Sequence, residues 1–303
     1  VLLGTACGDA LGAGYEFGPP LAPQTPVSMR GGNGFRPGEW TDDTSMAIAV
    51  AQAAARHRLT TPEGLDAVAS GFRRWLDDGP IDVGIQTSTV LRGARGTDAA
   101  ALTAMSEIYF REHPARACGN GALMRTAPVA LSTLDDEKAA MTAATAVGRL
   151  THADPVSGEG CALWTYAIRH AVLHATFDGL RIGVTKLAPA RQAYWTLQLD
   201  EAERSRPEQF ERNGWVVQAL QAAWSAIVTT PVPPDKPARH LIAAMESAVR
   251  GGRDADTVAA IAGGLLGARW GAAAFPPQWT DAIFGWPGYR ADDLQRLALC
   301  FVT

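Results

Sequence analysis

Gly38-Glu39-Trp40-Thr41-Asp42-Asp43-Thr44-Ser45-Met46 sets two adjacent carboxylates beside two threonine hydroxyls, directly before an apolar helical run. Far along the chain, Gly251-Gly252-Arg253-Asp254-Ala255-Asp256-Thr257 repeats the theme before a second run, Val258 to Trp270. Taken singly, each stretch reads as a helix N-cap, with acidic residues complementing the helix dipole. Taken together, they offer four carboxylates and two or three hydroxyls, all hard oxygen donors. Such a set suits Mg²⁺, Mn²⁺ or Ca²⁺ and argues against zinc. Four aspartates brought together repel, and two divalent cations neutralise them, so a two-metal centre is the economical reading. If the stretches converge, the two ends of the chain share one unit. A single domain over residues 1–303 is then expected.

Outward from Thr41, the signals are helical. Thr61-Pro62-Glu63 is an N-cap followed by proline at the first helical position, and Leu65, Val68, Phe72, Trp75 and Leu76 follow the 3.6-residue period. Similar runs predict helices over 84–95, 98–111, 121–131, 136–150, 156–176, 214–229, 237–250, 257–272 and 291–301. No two-residue alternation bounded by turns predicts a sheet. The expected fold is all-α, a compact bundle of many short helices. Upstream of Thr41, Gly4, Gly8, Gly12 and Gly14 stud a small, apolar helix that stops near Gly14. Glycine at helical spacing permits close backbone approach. Residues 15–40 are too rich in Gly and Pro for regular structure, and a loop of that length before Thr41 reads as a lid or substrate loop. Residues 203–213 and 231–237 read as exposed connections.

Composition narrows the class. The 303 residues are 47% apolar with a net charge of −4, which gives no general attraction to nucleic acid or an acidic membrane. No apolar run approaches the roughly 20 residues of a membrane helix, and no signal peptide is evident. Val1 stands inside an apolar run, as if the native N-terminus lay further upstream. Cys7, Cys118, Cys161 and Cys300 lack CxxC spacing and read as reduced thiols of a cytoplasmic protein. Cys118 adjoins a glycine-rich stretch, but no paired base marks it as a nucleophile. His170 and His174 have zinc-helix spacing without the accompanying glutamate and read as ordinary helix residues. The nine tryptophans fall mostly among aliphatics and read as core. Tyr15, Phe17 and Phe35 lie in or near the long loop, where one of them can stack on a ring.

Five motifs in order complete the reading. These are Gly8-Asp9-Ala10-Leu11-Gly12 with Glu16; Pro37 to Thr44; Gly119-Asn120-Gly121-Ala122-Leu123-Met124-Arg125; Thr151-His152; and Asp254-Ala255-Asp256-Thr257. In this order the chain resembles the ADP-ribosylglycohydrolase family over most of its length. The resemblance implies an all-α fold with a binuclear Mg²⁺ or Mn²⁺ centre and hydrolysis of the bond between C1″ of ADP-ribose and an acceptor side chain. It implies Thr41, Asp42, Asp43, Asp254, Asp256 and Thr257 as metal ligands. It implies Glu16 as a carboxylate on a mobile loop near the scissile bond, with Glu16, Asp42 or Asp43 taking the proton of the attacking water. It implies that Gly119, Asn120, Gly121, Met124 and His152 hold ADP-ribose. The residues themselves are compatible: a Gly-Asn-Gly turn before a helical run can turn backbone N–H groups to a diphosphate, as it can also be a plain turn. His152 reads equally as a helix C-terminal histidine, and Arg125 stays outside the expected site. The Trp40-containing metal motif resembles bacterial arginine-type members, which implies ADP-ribosyl-arginine on a protein as substrate and ADP-ribose as product. Serine-linked or nucleic-acid-linked ADP-ribose, and a non-catalytic ADP-ribose reader or immunity-type interaction protein, are the alternative readings.

Overall fold

The computed structural model describes residues 1–301. Fifteen α-helices follow one another: α1 Leu2–Gly12, α2 Asp42–Ala54, α3 Pro62–Asp77, α4 Ile85–Gly93, α5 Ala99–Glu112, α6 Ala127–Leu131, α7 Glu137–Arg149, α8 Pro155–His174, α9 Gly179–Val184, α10 Pro189–Arg204, α11 Val216–Val228, α12 His240–Arg250, α13 Ala255–Trp270, α14 Pro277–Ala282 and α15 Ala291–Leu299. Between α14 and α15 lies a hairpin of two-residue strands, β1 Phe284–Gly285 and β2 Tyr289–Arg290, paired antiparallel. The all-α expectation holds, with this hairpin the one sheet among the described residues. Among the described residues, no helix is long and apolar enough to cross a membrane.

Helix α13 is the axis of the molecule. Every residue from Ala255 to Gly267 is buried, so no face is left for solvent, and α1, α2, α8, α11 and α12 pack around it. The α1–α13 contact is the most intimate. Gly4 and Gly8 stand against the backbone carbonyls of Gly263 and Ala259, and Gly12 against the backbone of Asp256, with no room for a Cβ at any of the three. Close backbone approach here is what fixes the position of Asp9 relative to Asp256. The tryptophans behave as read: Trp40, Trp75, Trp164 and Trp195 are among the largest fully buried side chains. The indole of Trp164 donates to Ile261 O at 3.0 Å, tying α8 to α13.

Several elements depart from the sequence reading. The run over 121–131 divides into a single 3₁₀ turn at Leu123–Arg125 and the five-residue α6. Helices α9, α10 and α14 escaped it. In α10 only Trp195, Leu199 and Ala202 are buried while Leu197 is exposed, so the apolar residues do not form one stripe. The connection over 203–213 is not wholly exposed: Pro207, Phe210 and Asn213 are buried, and Asn213 turns inward. Residues 15–40 lack helices beyond the turn Ala13–Tyr15, yet the segment is tied down. Tyr15 is buried, its hydroxyl accepts from Ser28 N at 2.9 Å, and Arg30 stacks over its ring while donating to Gly14 O.

Candidate active site

The start of α2 is capped from another helix. Asp9 Oδ1 accepts from Thr41 N, and Asp9 Oδ2 accepts from Thr44 N, each at 2.9 Å, and from Thr44 Oγ1 at 2.6 Å. Thr41 Oγ1 also receives the Asp43 N–H, at 3.5 Å. Because Asp9 takes the N–H groups of Thr41 and Thr44 and Thr41 Oγ1 takes that of Asp43, the carboxylates of Asp42 and Asp43 are not consumed in capping. Asp43 Oδ2 accepts from Thr41 Oγ1 at 3.1 Å and from Thr257 Oγ1 at 3.2 Å, which joins the two distant stretches directly. Asp43 Oδ1 is buried with no partner.

Two sets of carboxylates converge. Ligand oxygens of Asp9, Asp43 and Asp256 lie within 4.8 Å of one another, as do those of Glu16, Asp254 and Asp256. Asp256 belongs to both. Asp42 belongs to neither set; it is half-buried beside them. The turn before α13 makes this possible. Gly252 and Arg253 take left-handed backbone angles, which aims Asp254 inward. The glutamate loop is latched to the same turn: Phe17 N donates to Arg253 O at 2.6 Å and Arg253 N to Gly18 O at 2.7 Å. Glu16 therefore sits at Asp254 and Asp256 in the structure itself, with Asn33 Nδ2 donating to it at 3.4 Å. Among the described residues it pairs with no arginine; Arg36 is engaged by Glu39.

The electrostatics are severe. Among the described residues, none of these six acids forms an ion pair. Two unit charges at such separation repel by about 3 kcal/mol at an effective dielectric of 20. Each triad contains three such pairs, and together they exceed the ~5–15 kcal/mol net stability of a domain. Protons or cations must fill the centre. Burial pushes Asp9 up to about 6 and Asp42 up to about 7, the latter helped by the charge of Asp82. Burial, then Asp254, Asp82 and Asp42, raise Glu16 to about 8. Asp43 and Asp256 are held well above the carboxylate range, by burial first and neighbouring aspartates second, and burial raises Asp254 too. An oxygen-only set with an orphaned buried oxygen and no ion-paired counter-charge fits divalent cations.

Asn120 connects this centre to the glycine-rich stretch. Its Nδ2 donates to Asp254 Oδ2 at 2.8 Å and to Asn213 O at 2.9 Å, while Asn213 Oδ1 accepts from Asp254 N at 3.2 Å. Residues 118–120 pair antiparallel with 214–216, and Asn120 N is committed to Gly214 O at 3.1 Å. The stretch is thus a bridged loop, not the N-terminus of a long helix. His152 lies against it: a Cβ on Gly119 or Gly121 would stand 3.4 Å from Nε2. The ring is oriented by Thr151 Oγ1, 2.7 Å from Nδ1, and Arg125 Nη2 donates to the same hydroxyl at 2.6 Å. Burial and the nearby Arg125 charge hold His152 well below its usual value, so it is neutral. Met124 is placed differently: it belongs to the hydrophobic core, with its N–H bonded to Asn120 O. Beside Gly119 a cavity of about 550 Å³ opens, bordered by Arg116, Arg212, Trp215 and Cys118. Burial pushes the Cys118 thiol up to about 12, which leaves no thiolate for nucleophilic attack.

Four residues of this arrangement were missed in the sequence. Asp9 stood quoted in a motif without a role, although a lone carboxylate in an otherwise apolar helix is a signal. Asp82 sits in a polar turn that resembles any solvated loop. Asn213 lay in a segment read as exposed. Arg125 was set aside, yet it is fully buried, with Phe72 at 4.3 Å beneath its guanidinium.

The whole chain, residues 1–302, matches the family model for ADP-ribosylglycohydrolase. The chain belongs to the ADP-ribosylglycohydrolase family. Curated relatives include an ADP-ribosylarginine hydrolase Tri1 of Pseudomonas putida (strain GB-1), 29% identical over 98% of this chain and 75% of that protein. They also include the ADP-ribosyl-[dinitrogen reductase] glycohydrolase of Rhodospirillum rubrum, 29% identical over 93% of this chain and 88% of that protein. A solved structure of an ADP-ribosylglycohydrolase-related protein complex superimposes with a TM-score of 0.73 at 27% identity, covering 99% of this chain and 94% of that one. This ADP-ribosylglycohydrolase is accordingly a hydrolase acting on ADP-ribosyl glycosidic bonds.

Proposed function

We propose that the chain, working as one domain, releases ADP-ribose from arginine side chains of modified proteins with two Mg²⁺ or Mn²⁺ ions. The observation that carries this reading is the pair of carboxylate triads sharing Asp256, none of them ion-paired among the described residues, hydrogen-bonded through Asn120 to the Gly119-Asn120-Gly121 loop. Thr41, Asp42, Asp43, Asp254, Asp256 and Thr257 hold the ions in this reading, and Asp9 braces Thr41 and Thr44. When bound, divalent cations neutralise the acids and act as Lewis acids toward water and ribose hydroxyls. The protein's own groups do the rest. Gly119, Gly121 and neutral His152 hold the diphosphate and distal ribose, with Arg116 and Arg212 at the mouth of the adjacent cavity supplying positive charge. Glu16 takes a proton from the water that forms the new C1″–O bond, as the C1″–N bond breaks and its electron pair leaves with the guanidine. Asp42 is the next carboxylate in reach. The arginine acceptor is supported by the activity named for the Pseudomonas putida relative. The test is release of ADP-ribose from arginine-, serine- and nucleic-acid-linked substrates, with Mg²⁺ or Mn²⁺ present or chelated. Metal-dependent release from the arginine linkage is expected. Release from the serine or nucleic-acid linkage alone would reassign the acceptor, and binding of ADP-ribose without turnover would make the protein a reader.

A further inference from the structure

A second cavity, of about 140 Å³, opens on the opposite chemical side of the acidic centre. Where the Gly119 cavity has Arg116 and Arg212 beside a single Asp154 at its border and is linked to the centre by the Asn120–Asp254 hydrogen bond, this one is lined by Thr41 and Asp42 themselves. Phe35, Trp75 and Trp286 give it aromatic walls, and Asp42, Asp78 and Asp82 give it negative charge. Among the described residues, no lysine or arginine lines it. Glu39 also borders it, but its charge is met by Arg36 at 3.0 Å. Asp78 and Asp82 form no ion pair among the described residues.

The wall is built, not incidental. Trp286 comes from the turn of the C-terminal hairpin, more than 200 positions from its partners. Its carbonyl accepts from Trp40 Nε1 at 3.2 Å and its indole N–H donates to Asp78 Oδ2 at 2.8 Å. The hairpin is further pinned by Trp40 N donating to Phe284 O and Phe284 N donating to Gly38 O, each at 3.0 Å. The space equals that of about five waters. A nucleotide does not fit; one cationic side-chain head does.

We propose that this cavity is the acceptor subsite and that it selects a guanidinium, with Trp286 and Phe35 offering π faces and Asp78 and Asp82 offering carboxylates. A planar, weakly hydrated cation gains from both at once, whereas a serine hydroxymethyl gains from neither. The charge of the two cavities sets the direction of binding: the diphosphate lies toward Arg116 and Arg212, the acceptor toward Asp78 and Asp82. This assignment rests on the arginine reading given above and supplies its specificity-determining residues.

The test uses N-acetyl-arginine amide and its neutral isostere, N-acetyl-citrulline amide, titrated into the metal-loaded protein while indole N–H resonances are followed by NMR. The arginine compound is expected to shift the Trp286 resonance and to bind at least tenfold more tightly than the citrulline compound. Asp78→Asn is expected to weaken the arginine compound severalfold, and Trp286→Ala more. Circular dichroism and ADP-ribose affinity of each variant report folding, and the exposed Asp78 position keeps the test open should Trp286→Ala fail to fold. Equal affinity for the two compounds, or unaltered arginine affinity in Asp78→Asn, overturns the subsite. Turnover of arginine-linked substrate by the unsubstituted protein is measured alongside. Turnover with no charge discrimination overturns the subsite alone, whereas absence of turnover on that linkage overturns the functional reading and with it the acceptor assignment.

Discussion

Asp9 and Glu16 divide the labour of the acidic centre at the scale of single residues. Asp9 is fully buried and accepts three hydrogen bonds from the start of α2. Asp9→Asn turns an amide N–H₂ toward donors, and a buried unsatisfied donor costs about 1–3 kcal/mol. The denaturant midpoint of this variant is expected to fall accordingly; an unshifted midpoint would show that Asp9 does not cap α2. Glu16 has no comparable structural duty, its one side-chain hydrogen bond being a 3.4 Å contact from Asn33. Glu16→Gln is expected to keep ADP-ribose affinity within a few fold while lowering turnover by about a hundredfold or more. Both quantities are measured on one preparation, and unchanged turnover removes Glu16 from the chemistry. The residue scale is also where sequence reading is most uneven. Asp42, Asp43, Asp254 and Asp256 stood out because the same pattern occurs twice before a helix. Asp82 did not, because one aspartate in a Gly- and Pro-containing turn carries no period and no repetition; only three-dimensional proximity reveals it.

At the scale of elements, the packing of α1 on α13 decides whether a site exists. Gly8→Ala places a methyl into the Ala259 carbonyl. The gain in helix propensity is about 1 kcal/mol, and overpacking in a closed core costs about 1–3 kcal/mol. A net loss of stability is expected, together with weaker Mn²⁺ affinity, because separating the helices separates Asp9 from Asp256. Calorimetric titration with Mn²⁺ checks it, and full affinity in Gly8→Ala would detach the centre from this contact. The glycine spacing was legible in the sequence as a demand for close approach, although its partner helix was not. Helices with a strong 3.6-residue period, such as α3, were legible with their caps: Thr61 accepts from Gly64 N as its position before Pro62 predicted. Helix α10 was not, since three buried positions in sixteen residues leave no stripe to read. The hairpin carrying Trp286 is two residues per strand, too short to show alternation.

For the molecule as a whole, the crowded acids couple stability to pH and to metal. In metal-free protein the site carboxyls titrate higher than in the unfolded chain, up to about 6 for Asp9, about 7 for Asp42 and about 8 for Glu16. The folded state therefore binds more protons across roughly pH 4 to 8, and stability falls as pH rises through that window. The melting temperature of chelated protein is expected to drop from pH 5 to pH 8. Saturating Mg²⁺ or Mn²⁺ is expected to raise it, and by more at pH 8 than at pH 5. Occupancy at a hundred times the dissociation constant stabilises by about 2.7 kcal/mol. A chelated protein that melts higher at pH 8 than at pH 5 would contradict a proton-filled acidic core.

The α1–α13 pairing also bears on how the molecule is born. The contact between Gly8 and Ala259 spans on the order of 250 residues, so during translation at ~5–20 residues per second the first helix waits on the order of 10–50 s for its mate. Through that interval α1 can meet α2, whose start Asp9 caps, but the glycine face that closes on α13 stays uncovered, which invites holdase binding. The nascent polypeptide meanwhile owns Asp9, Asp42 and Asp43 but not Asp254 or Asp256. A cation site that needs both acidic stretches is therefore incomplete until α13 has left the ribosome.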